Sequence, residues 1–177
     1  GIMDNRLEQD SLIEDALKNI YDSDGNSSVT SQSIAGVLRI SLASAIQIVK
    51  RLREMGLTEK NTSSVLLTQK GKDYALKVIR VHRLLEKYYS EETGINETGW
   101  HEEAEKNEHL ISSSEIETLA KKMGNPLYDP HGDPIPSAEG IVPPRRGESV
   151  QKFSSGDKAE VTHIEDEPEE IYDDLVK

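Results

Sequence analysis

Cysteine is absent from the 177 residues. Disulfides and thiolate metal sites are thereby excluded, so any metal in this chain is held by nitrogen and oxygen ligands. Apolar runs are short. None approaches the roughly 18 residues of a membrane-spanning helix, and no membrane span is expected in this chain. No basic segment followed by an apolar stretch opens the chain, so no secretory signal is visible and the expected compartment is cytoplasmic. Gly1-Ile2 ahead of Met3 reads as a cloning remnant. A Gly-rich phosphate loop, a Gly-x-Ser-x-Gly elbow and a His-Glu-x-x-His pattern are all missing. An enzyme is therefore not expected.

What is present is charge, unevenly placed. The formal net charge is −12, yet residues 28–87 carry 11 basic against 4 acidic side chains. An acidic chain with one basic block points to a polyanion facing that block alone.

Helical periodicity accounts for most of the first 124 residues. Leu7, Leu12, Ile13, Ala16, Leu17 and Ile20 predict a helix over 7–22, followed by a polar loop from Asp22 to Ser28. Thr30 can cap a short helix over 31–37. Ser41 can cap a longer one over 42–55, with Gly56 as its stop. Two helices joined by so short a turn read as helix-turn-helix. Leu57–Lys60 and Val65–Thr68 flank the polar turn 61–64 and predict a small hairpin, a wing. Thr68 then caps a long helix over 69–89, and further helices are expected over 100–111 and 114–123, the last capped by Ser112 or Ser113 and ended by Gly124. The Pro- and Gly-rich stretch 125–150 reads as a linker without a core. Residues 156–164 alternate well enough for one strand, and 165–177 are acidic and helix-like. The chain is thus expected to stop inside a third module.

Two of the helices carry metal-ligand chemistry. On 100–111, His101, Glu105, Glu108 and His109 fall at i, i+4, i+7 and i+8, which places them on one helical face. A core-facing helix would carry Leu or Ile there. Imidazoles with carboxylates are the set preferred by borderline divalent cations. His82 and Glu86 form a second i, i+4 pair on the long helix. A charge run is most often a solvated face, but here two histidines bracket it at matching phase.

On the helix-turn-helix, the exposed N-terminal end of 42–55 offers Ser41, Ala43, Ser44 and Gln47 to base edges. Gln suits adenine, and the Ala methyl suits thymine. Lys50 and Arg51, with Arg53, Lys60, Lys70 and Lys72, are expected at phosphates.

In combination these motifs resemble the diphtheria toxin repressor family of metal-dependent transcriptional repressors, manganese transport regulators included. The resemblance covers roughly residues 11–140. It is carried by Ile-Glu-Asp-Ala-Leu-Lys-Asn-Ile-Tyr at 13–21, Leu-Thr-Gln-Lys-Gly at 67–71, His-Arg-Leu-Leu-Glu at 82–86, the histidine-bracketed acidic run at 101–109, and Asp-Pro-His-Gly-Asp-Pro-Ile-Pro at 129–136. Ser155-Gly-Asp-Lys looks like the opening of the SH3-like third domain of longer members.

The resemblance implies a mainly α fold. A winged helix-turn-helix DNA-binding domain is expected over 5–75, a helical metal-binding and dimerisation domain over 76–142, and a linker with the start of an SH3-like β module over 143–177. It implies two metal sites per subunit for Mn(II) or Fe(II). His82, Glu86 and His101 match the ancillary site, and Asp15, Glu105, Glu108 and His109 match the primary site. Glu167 and Glu170 lie near where the third domain adds ancillary ligands. Glu105 and Asp15 stand where iron-responsive members carry Cys and Met, and oxygen in place of sulfur favours Mn(II). Lys18 stands where some manganese regulators place a further Glu ligand.

The function implied is a homodimeric repressor that binds double-stranded promoter DNA when metal-loaded and controls metal uptake. A detached regulatory metal-sensing domain of a membrane metal transporter, a metal buffer and a metalloenzyme are the other readings.

Overall fold

The computed structural model describes residues 2–23, 28–92 and 97–162, and divides into two compact units, residues 1–79 and 80–177. Six α-helices occur among the described residues: α1 Ile2–Asp22, α2 Ser31–Leu38, α3 Leu42–Glu54, α4 Gln69–Glu92, α5 Glu97–Asn107 and α6 Ser113–Lys122. No single one is long and apolar enough to cross a membrane.

The first unit is built around α1, α2 and α3. Ile13, Ala16, Leu17 and Ile20 of α1, Ile34 of α2, and Ala45, Ile48, Val49 and Leu52 of α3 share one core with Leu57, Val65 and Ala75. Burying a Leu or Ile side chain contributes about 1.5–3 kcal/mol. That compensates for α2, which at 8 residues is too short to persist alone. Capping sets its ends. Thr30 Oγ1 accepts from Ser33 N while Ser33 Oγ accepts from Thr30 N, a reciprocal box. Arg39 then takes a left-handed turn (φ 54°), and α2 and α3 cross at 114°, within the helix-turn-helix range.

The wing is narrower than the expected hairpin. It amounts to one antiparallel bridge, Thr58 to Leu67, with Glu59 N donating to Leu66 O and Thr68 N to Leu57 O. Thr68 closes this seam onto α4: its hydroxyl accepts from Gly71 N (3.1 Å) and donates to Gly56 O (2.7 Å). The Leu57 carbonyl lies directly against Gly71.

The second unit has a smaller apolar core: Leu84 and Leu85 of α4, Ala104 of α5, Ile116 and Ala120 of α6, and Ile135. Ser112 caps α6 through a box with Glu115, and Gly124 (φ +75°) ends it as expected.

Three expectations need correction. The helix expected over 100–111 stops at Asn107, so Glu108–Leu110 is a turn. The extended cap Ser112, two residues on, leaves no room for continued helix. Secondly, 125–150 is not a linker throughout. Asp129, His131 and Asp133–Pro136 are buried, and Ile135 is 2% exposed within the core. Lastly, 156–162 holds no strand, and among the described residues after 142 the regular structure is one 3-10 turn, Val150–Lys152. Residues 163–177, including Glu167 and Glu170, lie outside the described residues.

A Cβ at Gly71 would fall 2.0 Å from the Leu57 carbonyl oxygen, a backbone atom that cannot step aside. Gly71→Ala is expected to destabilise the first unit by about 1–3 kcal/mol, the usual range for overpacking. Thermal unfolding followed by circular dichroism measures it; an unchanged midpoint would show that α4 starts elsewhere in solution.

Candidate metal centre and nucleic-acid interface

Buried charge marks the second unit. Glu86 is 1% exposed, and Glu108, Asp129, Asp133, His82 and His131 are also buried. Carboxylates withdrawn from water at this density need compensating positive charge.

Three imidazoles surround Glu86. His82, one helical turn before it on α4, touches Glu86 Oε1 through Nε2 and Glu108 Oε2 through Nδ1. His101 Nδ1 of α5 lies 3.2 Å from Glu86 Oε1, and His131 Nδ1 lies 2.9 Å from Oε2. This last approach has the length of a hydrogen bond without its angles. Burial would push the Glu86 carboxyl up, but its contacts with His101, His131 and His82 reverse this and hold it below the usual carboxylate range. His101 is partly buried, which lowers its pKa, but hydrogen bonds to Glu105 and Glu86 raise it to about 11.

The loop that presents His131 is tied by its own aspartate. Asp129 Oδ1 accepts from His131 N (2.9 Å) and Asp133 N (2.8 Å), and Gly132 N closes the turn on Asp129 O. Gly132 (φ 82°) supplies the left-handed residue after the Asp-Pro-His turn. Asp129 is raised to about 7, first by burial and then by the charges of Asp133 and Glu86. Further along, Arg145 reaches Asp133 (3.2 Å) and Arg146 lies over the Tyr128 ring.

Two ligand groups result within this unit. The donor atoms of His82, Glu86 and His101 lie within 4.8 Å of one another, as do those of Glu86, Asp129 and His131. Both are mixed carboxylate–imidazole sets that fit a borderline divalent cation without thiolate, and the buried Glu86 Oε2 and His131 Nδ1 stand side by side with no well-angled hydrogen bond between them.

Of the remaining candidates, His109 Nε2 lies 3.2 Å from Glu108 Oε1, while Glu105, exposed, pairs with His101 Nε2 (3.2 Å). Asp15 belongs to the first unit, on α1, with Lys18 Nζ at 3.4 Å. Sequence reasoning missed Asp129 and His131 as candidate ligands. The signal was available, because a His between two Asp residues inside a Pro-Gly turn is chemistry on a rigid scaffold rather than linker composition.

In the first unit α3 turns Ala45, Ile48, Val49 and Leu52 inward and leaves Ser41, Ala43, Ser44, Gln47, Lys50 and Arg51 exposed. The Ser41 hydroxyl is occupied in capping: it accepts from Ser44 N and donates to Ser44 Oγ. Lys70 donates to Met55 O at the C-terminal end of α3, where a cation complements the helix dipole.

Residues 10–64 match the iron dependent repressor N-terminal DNA binding domain, and residues 68–137 match the iron dependent repressor metal binding and dimerisation domain. A manganese-dependent transcriptional repressor solved in complex with manganese is 32% identical, with a TM-score of 0.83, over 92% of this chain and 77% of that one. The chain belongs to the diphtheria toxin repressor family. Within that family, the iron-dependent repressor IdeR of Mycobacterium tuberculosis is 36% identical over 91 residues, 51% of this chain and 40% of IdeR. A probable metal transport system membrane protein of Chlamydia trachomatis is 35% identical over 85 residues, 48% of this chain and 19% of that protein. The chain thus spans less than half the length of these curated relatives.

Metal affinity in this family member should depend on pH with a definite sign. The Asp129 carboxyl stands above its ordinary 3.8, so its ionisation costs folded stability as pH rises from 3.8 to about 7. His101 stands above its ordinary 6.5, so its protonated contacts stabilise fully below 6.5 and are lost as pH rises toward about 11. A cation at the His82–Glu86–His101 group requires His101 without its proton, and one at the Glu86–Asp129–His131 group requires Asp129 without its proton. Mn(II) affinity is therefore expected to climb about tenfold per pH unit at each group, up to about pH 7 where Asp129 is the protonated ligand and on toward pH 11 where His101 is. Calorimetric titrations at several pH values, in buffers of differing ionisation enthalpy, measure both the slope and the protons released. A flat profile would show that these groups are not ligands.

Proposed function

We propose that this chain is a cytoplasmic, homodimeric repressor that binds promoter DNA when loaded with Mn(II) or Fe(II) and so controls metal uptake. The carrying observation is the coexistence, in one chain, of an exposed recognition helix and a buried carboxylate–imidazole centre. The division of labour proposed is DNA binding by residues 5–75, metal binding and dimerisation by 76–142, and a linker with a partial SH3-like domain over 143–177.

His82, Glu86 and His101 would hold one cation, with Asp129 and His131 approaching Glu86 from its other oxygen. Asp15, Glu105, Glu108 and His109 are proposed for the second, giving two sites per subunit. The resemblance over residues 13–21 supports Asp15, the one ligand drawn from the DNA-binding unit. When bound, the cation supplies positive charge that the buried carboxylates otherwise draw from protonated imidazoles.

The protein's residues do the rest. Asp15 would make the first unit responsive to the state of the second. A homodimer then sets two recognition helices at one separation, and half-sites lie about 34–36 Å apart. Metal acts as an effector only through different affinity for two arrangements. The groove of about 540 Å³ whose apolar lining is Leu85, Tyr89, Leu110, Ile111 and Leu119, with Leu110 69% exposed, is assigned to the second copy. The matched dimerisation domain supports that assignment.

Glu105 and Asp15, oxygen donors at positions where iron-responsive members carry sulfur, favour Mn(II). A second reading, a metal-sensing domain acting on a membrane transporter, draws on the likeness to the chlamydial membrane protein. It requires no DNA binding.

Fluorescence anisotropy on promoter DNA, titrated separately with Mn(II), Fe(II), Zn(II) and Co(II), tests the proposal. DNA binding should appear with Mn(II) or Fe(II), vanish on chelation, and become metal-independent or absent in Asp15→Ala. Lys50→Ala and Arg51→Ala should each reduce the salt slope by about 1, while Gln47→Ala should cost sequence preference by about 1–3 kcal/mol. Failure to bind DNA under any metal condition would leave the transporter reading in place.

A further inference from the structure

The loop that delivers Asp129 and His131 is not held by its own backbone alone. Two arginines of α4 reach across to it. Arg80 Nη1 donates to Pro136 O (2.9 Å), and Arg83 Nη1 donates to Pro134 O (2.6 Å). Arg80 is in turn gripped by α6, with Nε and Nη2 on the two carboxylate oxygens of Glu117 at 3.1 and 3.0 Å. Pro134 and Pro136 are buried. Neither has an N–H, so each brings to the interior a carbonyl that must find a donor. Between them, Ile135 is buried in the apolar core, and its N–H is bound to Leu127 O.

The arginines occupy a telling place on α4. His82 lies between them in sequence, and Glu86 follows Arg83 by three residues, on an adjacent part of the helix surface. The helix that carries the central carboxylate therefore also carries the donors that fix the height of the loop along it. A one-residue shift of that loop would move His131 by about 3.3 Å. A displacement of that size would carry its Nδ1, now 2.9 Å from Glu86 Oε2, out of reach of a shared cation.

We propose that Arg80 and Arg83 are positioning residues for the Glu86–Asp129–His131 group, pinning the Pro134 and Pro136 carbonyls so that Asp129 and His131 meet Glu86. They touch no ligand atom in this role. They act through the loop, as outer partners act on metal ligands generally. The inference rests on that group being a cation site, so its test carries a control that fails separately.

The chain's single tryptophan provides the probe. The Trp100 ring centroid lies 6.3 Å from that of His131, so a paramagnetic cation held there should quench its fluorescence. The full chain is titrated with Co(II), with helix content followed by circular dichroism. His131→Ala should remove or weaken the quenching phase at least tenfold; if it titrates like the parent, the group is not a site and the underlying reading falls. With that control in place, Arg83→Met should weaken the phase by about tenfold or more and Arg83→Lys, which retains one donor, by about threefold, at parental helix content. Parental Co(II) affinity in Arg83→Met, or a lowered melting temperature alone, overturns the inference. Should Arg83→Met lose helix content, Glu117→Gln decides. It removes the charge and one of the two acceptors that hold Arg80 to α6, at a side chain 40% exposed, and is expected to weaken the phase about threefold; an unaltered titration overturns the proposal.

Discussion

The second unit is organised around one carboxylate that should not be where it is. Glu86 is almost wholly withdrawn from water on α4, and an isolated ionised carboxylate there would be prohibitively costly. His82, His101 and His131, drawn from α4, α5 and the 129–136 loop, converge on its two oxygens. Each of these elements contributes to one apolar cluster: Leu84 and Leu85 of α4, Ala104 of α5 and Ile135 of the loop, together with Ile116 and Ala120 of α6. The apolar core is small because it need only bring the polar residues together. The electrostatic requirement of Glu86 then selects what may occupy the space.

The DNA-binding unit follows a different logic, in which the polar groups are spent on backbone ends. Thr30, Ser41 and Thr68 cap α2, α3 and α4 in turn, and Lys70 closes the far end of α3. Each cap contributes about 1 kcal/mol, enough to hold short helices at fixed angles while their outer faces stay free for a partner. Ser41 and Ser44 bond to each other, so of the candidate base readers Gln47 retains the longest reach.

The helices were legible because their signals are local. Apolar period and cap chemistry placed α2, α3, α4 and α6 within a few residues of their observed bounds. The wing was legible as a turn but not in extent, since pairing depends on how Leu57 meets Leu67 across the α4 start. Two features were hidden for physical reasons. The polar face from His101 to His109 continues through the end of α5, so periodicity carried the helix past Asn107, whereas the cap at Ser112 forces a turn. The 129–136 segment has the composition of a linker, because Pro and Gly signal both flexibility and rigid turns. Only tertiary contacts, the arginine donors from α4 and the burial of Ile135, separate the two cases.

The ligand groups are less separate than two named sites would imply. His82 presents one ring nitrogen to Glu86 and the other to Glu108. An imidazole has two nitrogens but, when neutral, one proton, so what one nitrogen binds fixes the role of the other. Glu86 is shared in the same way, with one oxygen facing His82 and His101 and the other facing His131. A cation taken at either oxygen alters the charge felt by every other member, and Glu108 is joined to that network through a single ring. Because His109 lies against Glu108, the chain of contact runs unbroken from the 129–136 loop to the turn that follows α5. A cation bound at one group would therefore change the charge and the ligands left to the other, so the two groups are coupled rather than independent.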